Sequence, residues 1–509
     1  MAATNLKVSR ETLIQSFTAL DTAFEQTVEK DIVLPDYCPD VFRILKCRVI
    51  PKVVSQSING DRLTVDTEAV IRVLYLSQSS GKINLIESKQ SYSKTLELGG
   101  DAAAPIVSAC AKAEQVSCRV VNQRRVDIRG VFSVKVNVTA ECKKQFITGA
   151  EGEGIQLKRV NTVFPAKRLT AAKRVTVVEE LELGGAKPNV GAVLRTDCTV
   201  TQQENKVISG KLITKGEAGI ELLYTPAEGD SAAAETMRFS IPYSQIIDME
   251  GLDDSFDLRL DVRAASCEII PRSDEGGSLE CELVLLVSCE AVRYESCEAV
   301  VDAFSTLHGC TVRQSGLTLG AKNDVCQKSF EVSGRVSSGE NEIQSISCAW
   351  CEAGSVSVRE AEGKSVVSGN VTMSAVGVNT QGIAIYLEND APFECELDTA
   401  GAETAQVTVR SCSYRLSDES GADIRAELCI EAVSAASGRI EPIDDITLDD
   451  SEESTSGRYA LKLCRVGAGE ELWDIAKRCR TSVSAMIEEN GMTSDVTEEG
   501  GMLLIPMTN

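Results

Sequence analysis

Apolar and polar residues alternate with period two through most of this chain, as in Leu63–Tyr75 and Val126–Val138. That alternation puts one side of an extended segment in a core and the other in water, the mark of a half-buried strand. Asn59-Gly60-Asp61, Ser80-Gly81-Lys82, Ser209-Gly210-Lys211, Glu275-Gly276-Gly277 and Glu362-Gly363-Lys364 interrupt it. They supply residues tolerant of positive φ, so hairpins are expected between the strands. The pattern predicts a mainly β protein of antiparallel domains, each a sandwich or an open barrel.

The alternation also repeats at long range. Leu34 and Leu183, Pro39 and Pro188, Val41 and Val190, and Leu45 and Leu194 each lie 183 − 34 = 149 positions apart. The register continues without a gap to Tyr75/Tyr224 and to the Ser-Cys elements ending at Cys118/Cys267. A third Ser-Cys element ends at Cys412, 412 − 267 = 145 positions further on, and an alternating stretch, Ala422–Ser434, follows it. The third copy has no proline-bearing opening, and Glu342–Ile346 is its nearest equivalent. Three tandem β domains are expected, at 1–150, 151–296 and 297–436, the third divergent. Whether residues 1–27 and 147–164 open a copy or link two copies is open from sequence.

Beyond them the grammar changes. Gly438–Gly457 holds seven acids against one arginine, so 437–457 is expected to be an acidic linker. In 458–509, apolar residues at Leu472, Ile475 and Ala476, then at Val483, Met486 and Ile487, have helical spacing, and short strands flank them. This predicts a small βααβ unit.

Its residues resemble a LysM module: Val466, Gly469, Leu472, Trp473, Ile475 and Ala476, then Thr481, Val483, Asn490 and Gly491, and a closing Gly500, Leu503, Ile505 and Pro506. The opening of the first copy, Leu34–Leu45, is similar to the SPOCS domain of endospore-forming bacteria. Tandem SPOCS-like domains with one LysM resemble spore-coat morphogenetic proteins of the SipL and SpoVID type. The resemblance implies a non-enzymatic assembly protein in the mother-cell cytoplasm, at the forespore surface, tethering a coat-basement ATPase through its LysM module. The βααβ order brings two connections to one edge, so a partner- or glycan-binding edge is expected from Gly469, Glu470, Glu471, Leu472 and Trp473 with Asn490, Gly491 and Met492. The rival reading is an anchor for peptidoglycan or a chitin-like glycan. Glu470 and Glu471 stand where that family usually has Asp-Thr, and two acids gain little from a neutral sugar. Trp473 completes the small core or faces the partner, and helical spacing makes Leu472 core.

Composition narrows the field further. Lys+Arg is 52 and Asp+Glu 76, a net charge of −24, which repels phosphate backbones, so no nucleic-acid partner is expected. No apolar run reaches about 18 residues, so no membrane span is expected, and Met1–Phe17 shows no export signal. The single histidine, His308, excludes multi-histidine metal chemistry, and no metal or cofactor site is expected. The 19 cysteines are odd in number and irregular in spacing, which suits free thiols packed as small apolar residues, as at Cys281 and Cys289.

No catalytic residues are expected. Cys348 and Cys351 form a C-x-x-C without the following helix that redox pairs use, and they are expected to pack. His308, beside Ser305 and Cys310, reads as a turn residue. Asp253-Asp254 and Asp444-Asp445 are adjacent, diverge in extended chain and are expected in solvated loops. Asp36–Asp40 is either a rigid turn into a strand or a presented recognition loop.

Overall fold

The structure, a computed structural model, describes all residues except 1–5, 78–80, 100–102, 185–186, 228–232, 273–277, 321–322, 340–341, 419, 435–438, 450–460, 498–499 and 507–509. The first copy contains β1 (Lys7–Val33), β2 (Val41–Asn59), β3 (Arg62–Ser77), β4 (Ile83–Glu97), β5 (Ala103–Asn122) and β6 (Arg125–Glu151). They form two antiparallel sheets, β1-β6-β5 and β2-β3-β4. Alternate residues of the central strands face inward: Leu63, Val65, Ile71 and Val73 from β3 meet Val126, Ile128, Phe132 and Val134 from β6. Each such side chain contributes about 1.5–3 kcal/mol on burial, so the two central strands define the core.

The second copy repeats the topology. Its strands are β7 (Ile155–Glu182), β8 (Val190–Ile208), β9 (Lys211–Pro226), β10 (Glu235–Asp248), β11 (Asp257–Pro271) and β12 (Ser278–Ser305), in sheets β7-β12-β11 and β8-β9-β10. After a short strand β13 (Gly309–Arg313), the third copy follows with β14 (Asp324–Ser337), β15 (Ile343–Ala361), β16 (Lys364–Asn379), β17 (Ala384–Glu396), β18 (Ala402–Asp418) and β19 (Gly421–Ser434). Its sheets are β14-β19-β18 and β15-β16-β17. All three are open sandwiches with free edges rather than closed barrels. A shared clasp explains part of the sequence repeat: Tyr75 Oη donates to the Pro39 carbonyl at 3.1 Å and Tyr224 Oη to that of Pro188 at 3.0 Å.

The outer strands settle what the sequence left open. β1, β6, β7 and β12 span 27, 27, 28 and 28 residues, longer than a sandwich needs. Residues 7–27 and 155–164 are therefore opening strands of their copies, and β12 crosses the expected boundary at 296/297 without a break. The overhanging ribbons pack on each other through Leu13, Phe146, Phe164 and Ala299 with Leu317 and Leu319, and through Ile147, Val300 and Ala303 with Ile443 and Ile446. The last two residues correct the linker expectation. Ile440 bridges Leu319, and β20 (Asp445–Asp449) pairs with β13. Isoleucines at 440, 443 and 446 anchor this acidic stretch to the ribbons, while 450–457 lies outside the described residues.

The sheets β2-β3-β4, β8-β9-β10 and β15-β16-β17 meet at one junction, around Leu76, Leu194, Leu223, Trp350 and Val376. Glu352 accepts from Arg48 at 2.6 Å and pairs with Arg195 at 2.8 Å. The Arg195 guanidinium lies over Trp350 at 4.6 Å, and Lys46 donates to Glu388 at 2.7 Å. All three copies are thus joined by one set of charges beside a cavity of about 240 Å³.

The tail contains β21 (Leu461–Val466), α1 (Leu472–Cys479), α2 (Val483–Asn490) and β22 (Gly501–Pro506), with β21 and β22 antiparallel. Ser482 caps α2 by accepting from the Ala485 amide at 3.1 Å. Leu472, Ile475, Ala476, Met486 and Ile505 are fully buried beneath the sheet.

Candidate functional site

The β21–α1 connection is fastened to the segment before β22. The Gly469 amide donates to the Thr497 carbonyl at 2.7 Å and the Leu472 amide to the Asp495 carbonyl at 2.8 Å. Thr497 Oγ1 donates to the Gly467 carbonyl at 2.6 Å and receives the Glu470 amide at 3.1 Å. Gly469 has φ +79°, which a side chain would strain. The Glu470 carboxylate accepts the Gly467 amide at 3.0 Å and Arg478 at 2.8 Å, and this backbone bond first, then Arg478, holds its pKa below the ordinary value. Glu470 is a loop-closing acid in this setting.

Asn490, Gly491 and Met492 lie at the C-terminal end of α2. The Asn490 amide group donates to the Met486 and Leu504 carbonyls, and its oxygen receives the Leu504 amide at 2.8 Å. Gly491, at φ +62°, caps α2, and Met492 packs against the module core. The structure therefore brings Gly469, Glu470 and Glu471 beside Asp495, Val496 and Thr497, and places Asn490–Met492 along the flank of β22. Thr497 was invisible in the sequence, because a threonine among acids carries no pattern until its hydroxyl meets the backbone of the β21–α1 connection.

Glu471, Trp473 and Lys477 face a neighbour, the overhanging end of the β7–β12 ribbon. Trp473 Nε1 donates to Asp302 Oδ2 at 2.8 Å, and Lys477 Nζ donates to both oxygens of that carboxylate at 2.7 Å. The Trp473 ring stands edge-on to Phe304 at 4.9 Å, and Phe304 is buried with the module core. Glu471 pairs with Lys158 of β7. Both sequence readings of Trp473 missed this third role, a contact between the module and the second copy. The signal would have been Asp302 and Phe304 on an overhang whose length periodicity does not reveal.

The remaining candidates resolve into structure. Cys348 and Cys351 lie in β15, where a three-residue separation turns them to opposite faces: Cys348 belongs to the three-copy junction and Cys351 to the sandwich core. The Ser305 hydroxyl accepts the amides of Leu307 and His308 and closes that turn. Asp253 accepts from the Ser255 amide and hydroxyl in a loop. Asp444 pairs with Arg313 and Asp445 with Arg10, so these two sit in the ribbon assembly rather than in a solvated loop. Among the described residues no group of three or more His, Cys, Asp or Glu could hold a metal ion. In the Asp36–Asp40 turn, Arg124 donates to the Leu34, Pro35 and Cys38 carbonyls and to Asp40, which makes the turn rigid, while Tyr37 is 87% exposed.

Comparison with known proteins adds two matches. Residues 189–270, which hold β8 to β11, match the family described as SipL, SPOCS domain, and residues 464–506 match the LysM domain family. No curated protein and no solved structure matches the chain. No helix among the described residues is long and apolar enough to cross a membrane. The chain thus joins a SipL-type SPOCS domain, in the second of three like-folded copies, to a LysM domain in its tail.

Proposed function

We propose that this protein is a non-enzymatic assembly factor of the spore coat and envelope, acting in the mother-cell cytoplasm. The three sandwiches, taken as domains at about the repeat boundaries, offer docking surfaces at the forespore surface, and the LysM module tethers a coat-basement ATPase. SPOCS and LysM domains are structural or binding domains, and a sporulation protein is the reading they fit. The observation that carries the protein-tethering reading is the side of the module formed by Glu471, Trp473 and Lys477. That side already holds protein groups, Lys158, Asp302 and Phe304, by ion pairs, an indole hydrogen bond and an aromatic edge. These are the contacts of a protein interface.

The second reading, a glycan anchor, is favoured by the LysM match itself. Titrating the full chain with chitin oligomers separates the two. Weak or no binding is expected, because the acids of the Gly469–Trp473 loop give a neutral sugar little. Tight binding that a Glu470→Lys, Glu471→Lys variant keeps would favour the glycan anchor.

A further inference from the structure

Each sandwich carries a pair of cysteines facing one another across the open seam between its two sheets. The seam is formed by edge strands: β2 and β5 in the first copy, β8 and β11 in the second, β15 and β18 in the third. Cys118, Cys267 and Cys412 are repeat equivalents on β5, β11 and β18. Cys198 and Cys351 share a register on β8 and β15, eight residues past strand starts at Val190 and Ile343, and Cys47 lies six past Val41, on the same face. Cys351 Sγ and Cys412 Sγ are 3.3 Å apart. Cys47 and Cys118 both pack against the core of the first copy, and Cys198 and Cys267 both against that of the second. Cys267 also has Cys281 Sγ at 3.9 Å, from the neighbouring strand of its own sheet.

Packing as small apolar residues asks for no sulfur opposite sulfur, yet cysteine, 19 of 509 residues, fills both sides of all three seams. The edge strands can also move. β5, β11 and β18 each carry a register shift shortly before the cysteine, at Ala113/Gln115, Ala264/Ser266 and Val409/Ser411. A disulfide needs the closest pair to approach by about 1.3 Å more, and a bulged edge strand can bend that far.

We infer that the seams are modification sites, and that Cys47–Cys118, Cys198–Cys267 and Cys351–Cys412 form inter-sheet disulfides on exposure to a low-molecular-weight disulfide. One protein thiolate attacks a sulfur of the small disulfide and releases a small thiolate. The facing thiolate then attacks the protein sulfur of that mixed disulfide and releases the second. Two protein thiols lose two protons and two electrons, and one small disulfide becomes two small thiols. In each pair one thiol suits the attacking role, since hydrogen bonding from its partner holds Cys118, Cys198 and Cys351 below the ordinary thiol value. In a reducing compartment the seams stay open as dithiols, and in an oxidising one each sandwich is stapled shut.

The test uses the native full chain, equilibrated with oxidised glutathione without denaturant, blocked with N-ethylmaleimide and mapped unreduced by mass spectrometry. The three named links are expected, with a thermal midpoint raised by about 5 °C or more and returned by dithiothreitol. A Cys118→Ser, Cys267→Ser, Cys412→Ser variant should lose that redox dependence. Reduced or singly glutathionylated cysteines at these positions would overturn the inference. So would links that form only in denaturant, or a midpoint shift that survives in the variant. A Cys267–Cys281 link in place of Cys198–Cys267 would overturn it for the second copy, because that bond stays within one sheet.

Discussion

At the residue scale the LysM module separates what the sequence showed from what it hid. Leu472 was readable as core from its spacing with Ile475 and Ala476, and it is fully buried. Leu472→Ala should cost the module roughly 2–5 kcal/mol, read as a low-temperature transition appearing in calorimetry of the full chain; an unchanged thermogram would contradict that burial. Asn490 was expected at the binding edge because the βααβ order brings its turn towards the Gly469–Trp473 loop. Its amide is bonded to the backbone of α2 and β22, a use that no pattern announces. Trp473 is held by Asp302, and Asp302→Ala removes the acceptor shared by its indole and Lys477. Trp473 emission should move to longer wavelength and its quenching by acrylamide should rise. An unshifted spectrum would mean that the module does not rest on the ribbon.

At the element scale, period two found the strands that build the cores, because each has one dry and one wet face. It missed the first half of β1 and the start of β7, where both faces are partly wet in the ribbons and the alternation fades. Acid content concealed β20 in a different way: charge density suggested a solvated tether, while Ile440, Ile443 and Ile446 anchor that stretch. Ile443 is fully buried, so Ile443→Ala should loosen β20 from β13 by roughly 2–5 kcal/mol. Limited proteolysis should then cut between residues 440 and 449 in the variant and spare that span in the native chain. Equal cutting in both would remove β20 from the ribbon assembly.

For the whole molecule, all three copies meet at the junction around Glu352, which no single-copy pattern foretells because its partners come from different repeats. Burial works against the Glu352 carboxylate, but Arg195 and Arg48 outweigh it and hold its pKa below the ordinary value. A carboxyl depressed in the folded state stabilises above its unfolded pKa, about 4.3, and that stabilisation is lost as pH falls through the lower folded value. The junction should therefore loosen in acid below about pH 4, seen as a larger radius of gyration in X-ray scattering. Glu352→Gln should show the larger radius already at neutral pH. A radius indifferent to both changes would take the charges out of the inter-copy contact.

We propose that the protein assembles the coat by holding another protein through its LysM module. The most direct test is co-purification of the native full chain, with and without chitin oligomers, from sporulating cells of its source. The coat-basement ATPase should be recovered, excess chitin oligomers should not displace it, and the Leu472→Ala chain should fail to retain it. Recovery of wall glycan in place of the ATPase, or retention of the ATPase by the Leu472→Ala chain, would contradict this proposal.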